Sequence, residues 1–222
     1  MPPSSRSTVQ RLAENARYDR ETVEAILDAG LVAHVGIVHD GAPVVTPMAY
    51  ARIARHVYLH GSGASRLMRV LHAGAEVCVA VTIVDGVLLA RSAFNMSMSY
   101  RSVVVLGRAE PVVDPEARTD AFVAIMDHLV PGHWAHVRPP NDRELRATLV
   151  VAVALDEASA KVGEGPPTDD HDDDALPHWA GEIPFRTVAL APRPAPRLGD
   201  GVVPPPTVRD YRRLAGTSPP SH

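Results

Sequence analysis

The sequence predicts a mainly β fold, a small antiparallel barrel with a few flanking helices. Three observations predict it. Six or more short strand-like apolar stretches recur along the chain, period two setting in after Gly30. Two Asp-Gly pairs, Asp40-Gly41 and Asp85-Gly86, stand between such stretches as hairpin signals. No regular alternation of strand and helix appears, and no G-x-G-x-x-G follows the first strand, so a dinucleotide-binding doubly wound sheet is disfavoured. The phosphate-binding P-loop pattern is absent as well, and no internal repeat is found.

The elements follow in order. Residues 1–17 form a polar lead. Asp19 to Ala29 reads as a short helix, with Val23, Ile26 and Leu27 on one face and Gly30 as its stop. The period then changes to two: Leu31 to Val38 is a strand, Asp40-Gly41 turns it, and Val44 to Ala51 returns. Pro47 lies in that return strand, which places it at an edge or a bulge because proline cannot donate to a ladder. His56 to His60 is a third strand, and a helix from about Ala64 to Leu71 follows the Gly61-Ser62-Gly63 break. Val77 to Val84 is a strand, with Asp85-Gly86 expected to turn it into Val87–Ala93, and Tyr100 to Ala109 is the next. Asp114-Pro115 supplies an N-cap and a proline at the first helical position, opening a helix that stops at Pro131-Gly132. Asn141 to Ala147 offers a helical turn or two, Leu149 to Leu155 a strand, and Ile183 to Leu190 the last strand. The domain therefore spans 18–190. Residues 191–222, with eight prolines, form an extended arm that Tyr211 and Leu214 can anchor.

Composition sets the class. A chain of 222 residues with 45% hydrophobic and 22% charged residues can build a sizeable core. No run approaches eighteen uninterrupted apolar residues, and the opening Met1-Pro2-Pro3-Ser4-Ser5-Arg6 lacks the apolar core of a secretory signal. A cytoplasmic protein without a membrane partner is expected. The net charge of −4 argues against a nucleic-acid partner. A single cysteine, Cys78, forbids an internal disulfide and a cysteine-based zinc site. Lys161 is the only lysine against 21 arginines. That bias fits a GC-rich genome, or guanidiniums that grip phosphate or carboxylate.

The most informative stretch is Tyr58-Leu59-His60-Gly61-Ser62-Gly63-Ala64-Ser65-Arg66-Leu67, where a strand ends, a Gly/Ser turn follows and a helix begins. Two readings fit it: a phosphate cradle of free N–H groups, hydroxyls and an arginine, or a plain serine-capped turn. Elsewhere His128, His133 and His136 flank Trp134, but their spacing matches no standard zinc motif, and no metal site is expected. The acidic run Asp169 to Asp174 lacks the glycine and terminal glutamate of a calcium loop and reads as a solvated loop. Cys78, between Val77 and Val79, reads as a small core residue.

Four segments together resemble the pyridoxamine 5′-phosphate oxidase-like family of flavin-binding split β-barrels, in its branch of flavin-nucleotide-binding and nitroimidazole-resistance proteins. They are LVAHVGIVHDGAPVVTPMAY from Leu31, YLHGSGASRLMRVL from Tyr58, VTIVDGVLLARSAFNMSMSYRSVVVLGRAEPV over 81–112, and Ala158–Val162 with Pro177–Gly181. The resemblance implies a six-stranded antiparallel split β-barrel of the FMN-binding type, a homodimer with its cofactor sites at the interface, and a small-molecule substrate. It places the FMN phosphate at Ser65 and Arg66, lined by His60, Gly61 and Ser62. It sets Thr46 and Met48 against the flavin ring, brings Arg101 in from the partner subunit, and packs Trp179 nearby.

Two departures stand out. Val44–Ala49 carries no cation, where the better-known oxidases grip FMN with basic residues, so the phosphate would depend on Arg66 and Arg69. Asn95 and Met96 stand where relatives often carry two histidines, and an amide cannot shuttle a proton at neutral pH. Three functional readings follow. The first is an FMN-dependent oxidoreductase with His60 and Tyr100 as candidate acid–base groups. The second is a haem-binding split barrel with His34, His39 or His60 as axial ligand. The third is a non-catalytic flavin-binding protein.

Overall fold

The structure is a computed structural model that describes residues 4–211. Its strands are β1 (Ala16–Arg17), β2 (Ala33–His39), β3 (Ala42–Met48), β4 (Tyr50–Ile53), β5 (His56–Ser62), β6 (Glu76–Leu89), β7 (Ser97–Pro111), β8 (Thr148–Ala154), β9 (Glu157–Gly163) and β10 (Gly181–Pro184). The helices are α1 (Arg20–Ala29), α2 (Arg66–His72), α3 (Pro115–Leu129), α4 (Asp142–Ala147) and α5 (Pro206–Arg209). The main path of the sheet runs β3-β2-β6-β7-β8-β5-β4, with β9 and β1 added beside β7 and β10 beside β6. Every pairing is antiparallel. The mainly β barrel with flanking helices is as expected, with more strands than the six anticipated.

Local chemistry explains most of the elements. Asp19 caps α1 by accepting the Thr22 N–H, Ser65 caps α2 from the Met68 N–H, and Asp114 caps α3 from the Ala117 N–H. Asn141 and Glu144 form a reciprocal capping box on α4. Asp40 and Gly41 adopt φ of 50° and 76°, the left-handed pair that a two-residue hairpin turn between β2 and β3 requires. Pro47 lies on β3, the edge strand, where its missing N–H leaves no gap in the sheet interior.

Four expectations need correction. Asp85-Gly86 is not a hairpin turn: β6 runs unbroken from Glu76 to Leu89, and the pair forms a bulge against β7 between Val84 and Gly86. Neither residue has the positive φ of the Asp40-Gly41 turn. The predicted return strand Val44 to Ala51 is two strands, β3 and β4, broken at Ala49. The last strand is Gly181–Pro184 rather than Ile183 to Leu190, and its partner is the far half of β6. Strand β9 was not predicted as an element. Gly30 ends α1 as expected but for a different reason: its φ is −69°, and a Cβ there would lie 2.3 Å from Val81 Cγ1 and 2.9 Å from the Tyr50 hydroxyl. It is glycine because of close packing.

The core gathers Leu27 of α1, Val35 of β2, Leu59 of β5, Leu71 of α2, Val79 of β6 and Val105 of β7, all fully buried. Tyr50 is buried whole, and its hydroxyl donates to the Leu27 carbonyl. The His128 Nε2–H donates to the Gly30 carbonyl at 2.7 Å, and its ring lies 4.7 Å from that of Tyr50. These bonds join α1, β4 and α3 at one corner. Residues 16 and 17 enter the sheet as β1, pairing with Lys161 and Ala160. The arm returns to the body through His133 Nδ1 and Thr207 Oγ1, 2.9 Å apart, and through the Tyr211 hydroxyl, which donates to the Leu129 carbonyl. Leu214 lies outside the described residues.

Candidate functional site

The turn from β5 into α2 is ordered by its own hydroxyls. The Ala64 N–H donates to Ser62 Oγ and the Met68 N–H to Ser65 Oγ, so both serines serve the backbone as acceptors. Gly61 is required by packing: a Cβ there would sit 2.8 Å from Met68 Cγ. Met48 Cε is 3.8 Å from the same point, which brings the interior side of β3 against the turn. Thr46 lies two residues earlier on that side of the strand. Thr46, Met48, Gly61, Ser62, Ser65 and Arg66 thus share one end of the barrel. The guanidiniums of Arg66 and Arg69 are exposed and make no hydrogen bond or ion pair among the described residues. Two uncompensated cations above a glycine–serine turn suit an anion.

His60 belongs to the same strand end but faces the other way, because successive side chains in a strand alternate. Its ring meets Phe122 of α3 edge-on, with centroids 5.2 Å apart. Its Nδ1 is buried with no hydrogen-bond partner among the described residues. Burial holds the imidazole below its ordinary pKa, so the ring is kept neutral. A neutral imidazole with an unsatisfied nitrogen suits a ligand or a metal better than it suits a proton donor.

Arg101 and Trp179 lie elsewhere. Arg101 pairs with Ile83 across β6–β7, and its guanidinium grips Asp85 with both carboxylate oxygens, at 2.8 and 2.7 Å. That pairing raises the Arg101 pKa against the opposing effect of burial. Val112, whose N–H bonds the carbonyl of Val150, the β8 partner of His60, is eleven residues further along the chain. At about 3.3 Å per residue this is about 36 Å of extended chain. Trp179 is 66% exposed and packs on Gly181, which pairs with Leu89 at the far end of β6. Within one chain, then, Arg101 and Trp179 sit at the opposite end of β7 from the α2 turn. Tyr100 lies beside Arg101, its ring packed over Gly163 and not near His60 by any recorded contact.

The remaining candidates are placed as follows. His34 is exposed on β2 and lines a cavity of 420 Å³. His39 ends β2, with Nε2 3.5 Å from the Asp40 carboxylate. Asn95 Nδ2 is buried without a partner, whereas Met96 is 48% exposed rather than packed in a core. Asp169 is part of a clamp: its carboxylate accepts the N–H groups of Arg91 and Ser92 and the Arg91 guanidinium. Burial works to raise its pKa, and the Arg91 backbone and side-chain bonds outweigh that and lower it. The expected solvated loop is instead a clamp, which only the fold brings against residue 91. Cys78 is half-buried on the outer side of β6 rather than in the core, and burial pushes its thiol pKa up. The rings of His133 and His136 stand 5.9 Å apart, and no group of three His, Cys, Asp or Glu capable of holding a metal ion occurs among the described residues. No helix among those residues is long and apolar enough to cross a membrane.

The family model for pyridoxamine 5′-phosphate oxidase matches residues 19–162, and the chain belongs to that family. Among solved structures it is similar to the flavocytochrome Anf3 from Azotobacter vinelandii, at 44% identity and a TM-score of 0.89, with 95% of this chain and 98% of that one covered. It is similar to the FAD and haem binding protein from Mycobacterium smegmatis at 38% identity and a TM-score of 0.84, covering 88% and 96%. A Bacteroides thetaiotaomicron protein described as a 5-nitroimidazole antibiotic resistance protein is 25% identical, with a TM-score of 0.56 over 66% and 86%. None of the curated proteins matches the chain.

Proposed function

We propose that this protein binds a flavin nucleotide and a haem and acts as an electron-transferring oxidoreductase on a small-molecule partner. The observation that carries the reading is the β5–α2 turn, where the Arg66 and Arg69 guanidiniums make no hydrogen bond or ion pair among the described residues and the preceding His60 has a buried Nδ1 with no partner among them. The residues present fit both groups. Arg66, with Arg69, would take the flavin phosphate, and Thr46 and Met48 of β3 would lie against its ring. His60 and His34 are the imidazoles offered to a haem. The two relatives of high identity, one a flavocytochrome and the other named for FAD and haem, support the pairing. FAD is preferred to FMN on the second of these names.

When bound, these groups supply hydride and one-electron chemistry, while the protein supplies binding, orientation and electrostatics. The roles of the chain's own residues follow from their chemistry. Arg66 neutralises phosphate charge, Ser62 and Ser65 hold the turn in shape, and His60 stays neutral because burial opposes its protonation.

The site is completed in this reading by a second copy of the chain. The far end of β6–β7 carries Phe94 (91% exposed), Met98 and Trp179, a cluster of apolar side chains without cover. Docked against the β5–α2 turn of a partner, this end would bring Trp179 and Arg101 to the partner's site. The test is the absorption spectrum of the purified protein, with chromatography of the released flavin. A two-band flavin profile with a Soret band, and FAD in the extract, is expected. A colourless protein that binds neither added flavin nor added haem would overturn the reading.

A further inference from the structure

The cavity that His34 lines includes none of the residues of the β5–α2 turn. It has a volume of 420 Å³ and forms between the body and the segment that follows β10. That segment is fixed at its start: β10 pairs with β6, and the Phe185 N–H donates to the Asp85 carbonyl at 2.7 Å. Phe185, Arg186 and Thr187 therefore form a strap over the α1–β2 junction. The volume lies within the ordinary range for small-molecule sites.

The lining has a definite chemistry. Val32, Val84 and Phe185 provide apolar walls and are still 45%, 42% and 47% exposed, so the strap leaves their surfaces uncovered. The polar groups are few. Arg186 is exposed and makes no hydrogen bond or ion pair among the described residues, and His34 makes no recorded bond either. Asp85, the carboxylate next to the strap, is already committed to Arg101. An unpaired guanidinium at an apolar cleft recognises a carboxylate through two parallel N–H bonds, and the Phe185 ring offers a stacking face to a planar body.

We infer that this cavity is a binding site for a planar apolar molecule bearing a carboxylate, with Arg186 as its anion-recognising residue. Small aromatic acids have this chemistry, and so does haem with its propionates. The haem source rests on the function proposed above; the aromatic-acid source does not.

The test titrates the full chain, as purified, with 2-naphthoate and with neutral 2-naphthamide, followed by calorimetry. Saturable binding of one naphthoate per chain, at least tenfold tighter than the amide, is expected. Arg186→Gln should abolish that preference, and Thr82→Trp, which places a large ring in the cavity, should block both compounds while the melting temperature stays within a few degrees. A parallel titration with hemin separates the sources. A Soret shift lost in both Arg186→Gln and His34→Ala assigns the site to the porphyrin, and naphthoate binding lost in Arg186→Gln with hemin unaffected assigns it to a small acid. If neither probe responds to Arg186→Gln, the inference is overturned. Failure of the cofactor reading shows separately, as missing flavin and haem bands, and leaves the naphthoate result standing.

Discussion

Arg66 and His60 lie six residues apart and handle charge in opposite ways. Arg66 is exposed, with no hydrogen bond or ion pair among the described residues, whereas burial lowers the pKa of His60. Replacing Arg66 with alanine should weaken flavin binding at least tenfold, about 1.4 kcal/mol, in a fluorescence titration, without moving the melting temperature of the cofactor-free protein. For His60 the sign follows from linkage. Its folded pKa is lowered from 6.5, so below pH 6.5 the unfolded chain takes up a proton that the folded chain resists. Stability is complete above that pH and declines as the pH falls below it. His60→Gln should flatten this decline in urea melts run at a series of pH values; an unchanged slope would remove His60 as its source. Ser65 and Arg66 were legible in the sequence because a cap and a cation next to a Gly/Ser turn are local features. The orphaned Nδ1 of His60 was not, since it depends on Phe122, 62 residues later, packing over the ring.

At the level of elements, two Asp-Gly pairs with the same local chemistry end differently. Asp40-Gly41 turns a hairpin, while Asp85-Gly86 makes a bulge within a 14-residue strand. The distinction is set by β10, which arrives almost a hundred residues later: a Cβ on Gly86 would lie 2.6 Å from Glu182 Oε1 and 2.9 Å from the Ile183 carbonyl. No short-range signal carries that information. Strand β9 escaped prediction for a related reason, because Ala158, Ser159 and Ala160 have weak strand preference and owe their state to pairing with β7. The bulge also presents Asp85 to Arg101, with side chains only 11% and 24% exposed. Asp85→Asn should cost about 3 kcal/mol, measured by urea denaturation, because the guanidinium loses its charged partner in a mostly covered site. Gly30→Ala should cost about 1–3 kcal/mol by the same measurement, since its Cβ overlaps Val81 and the neighbouring strand must shift.

For the whole molecule, the barrel was legible from period-two stretches and turn residues, and the family from four segments that now fall within or beside the matched residues 19–162. What the sequence could not reveal is how the ends of the barrel are used. The β5–α2 turn gathers the cations and small residues, and the far end of β6–β7 gathers Phe94, Met98 and Trp179. If those ends meet across two copies of the chain, Phe94→Asp together with Trp179→Asp should convert a dimer to monomers in light scattering and lower bound flavin in step. A monomeric parent protein would contradict the shared site while leaving the binding turn untouched. The pairing of a flavin with a haem is tested most directly by the absorption spectrum of freshly purified protein before and after reduction. Two flavin bands and a Soret band that all change on reduction are expected; a spectrum with neither chromophore, unaltered by added FAD and hemin, would rule the pairing out.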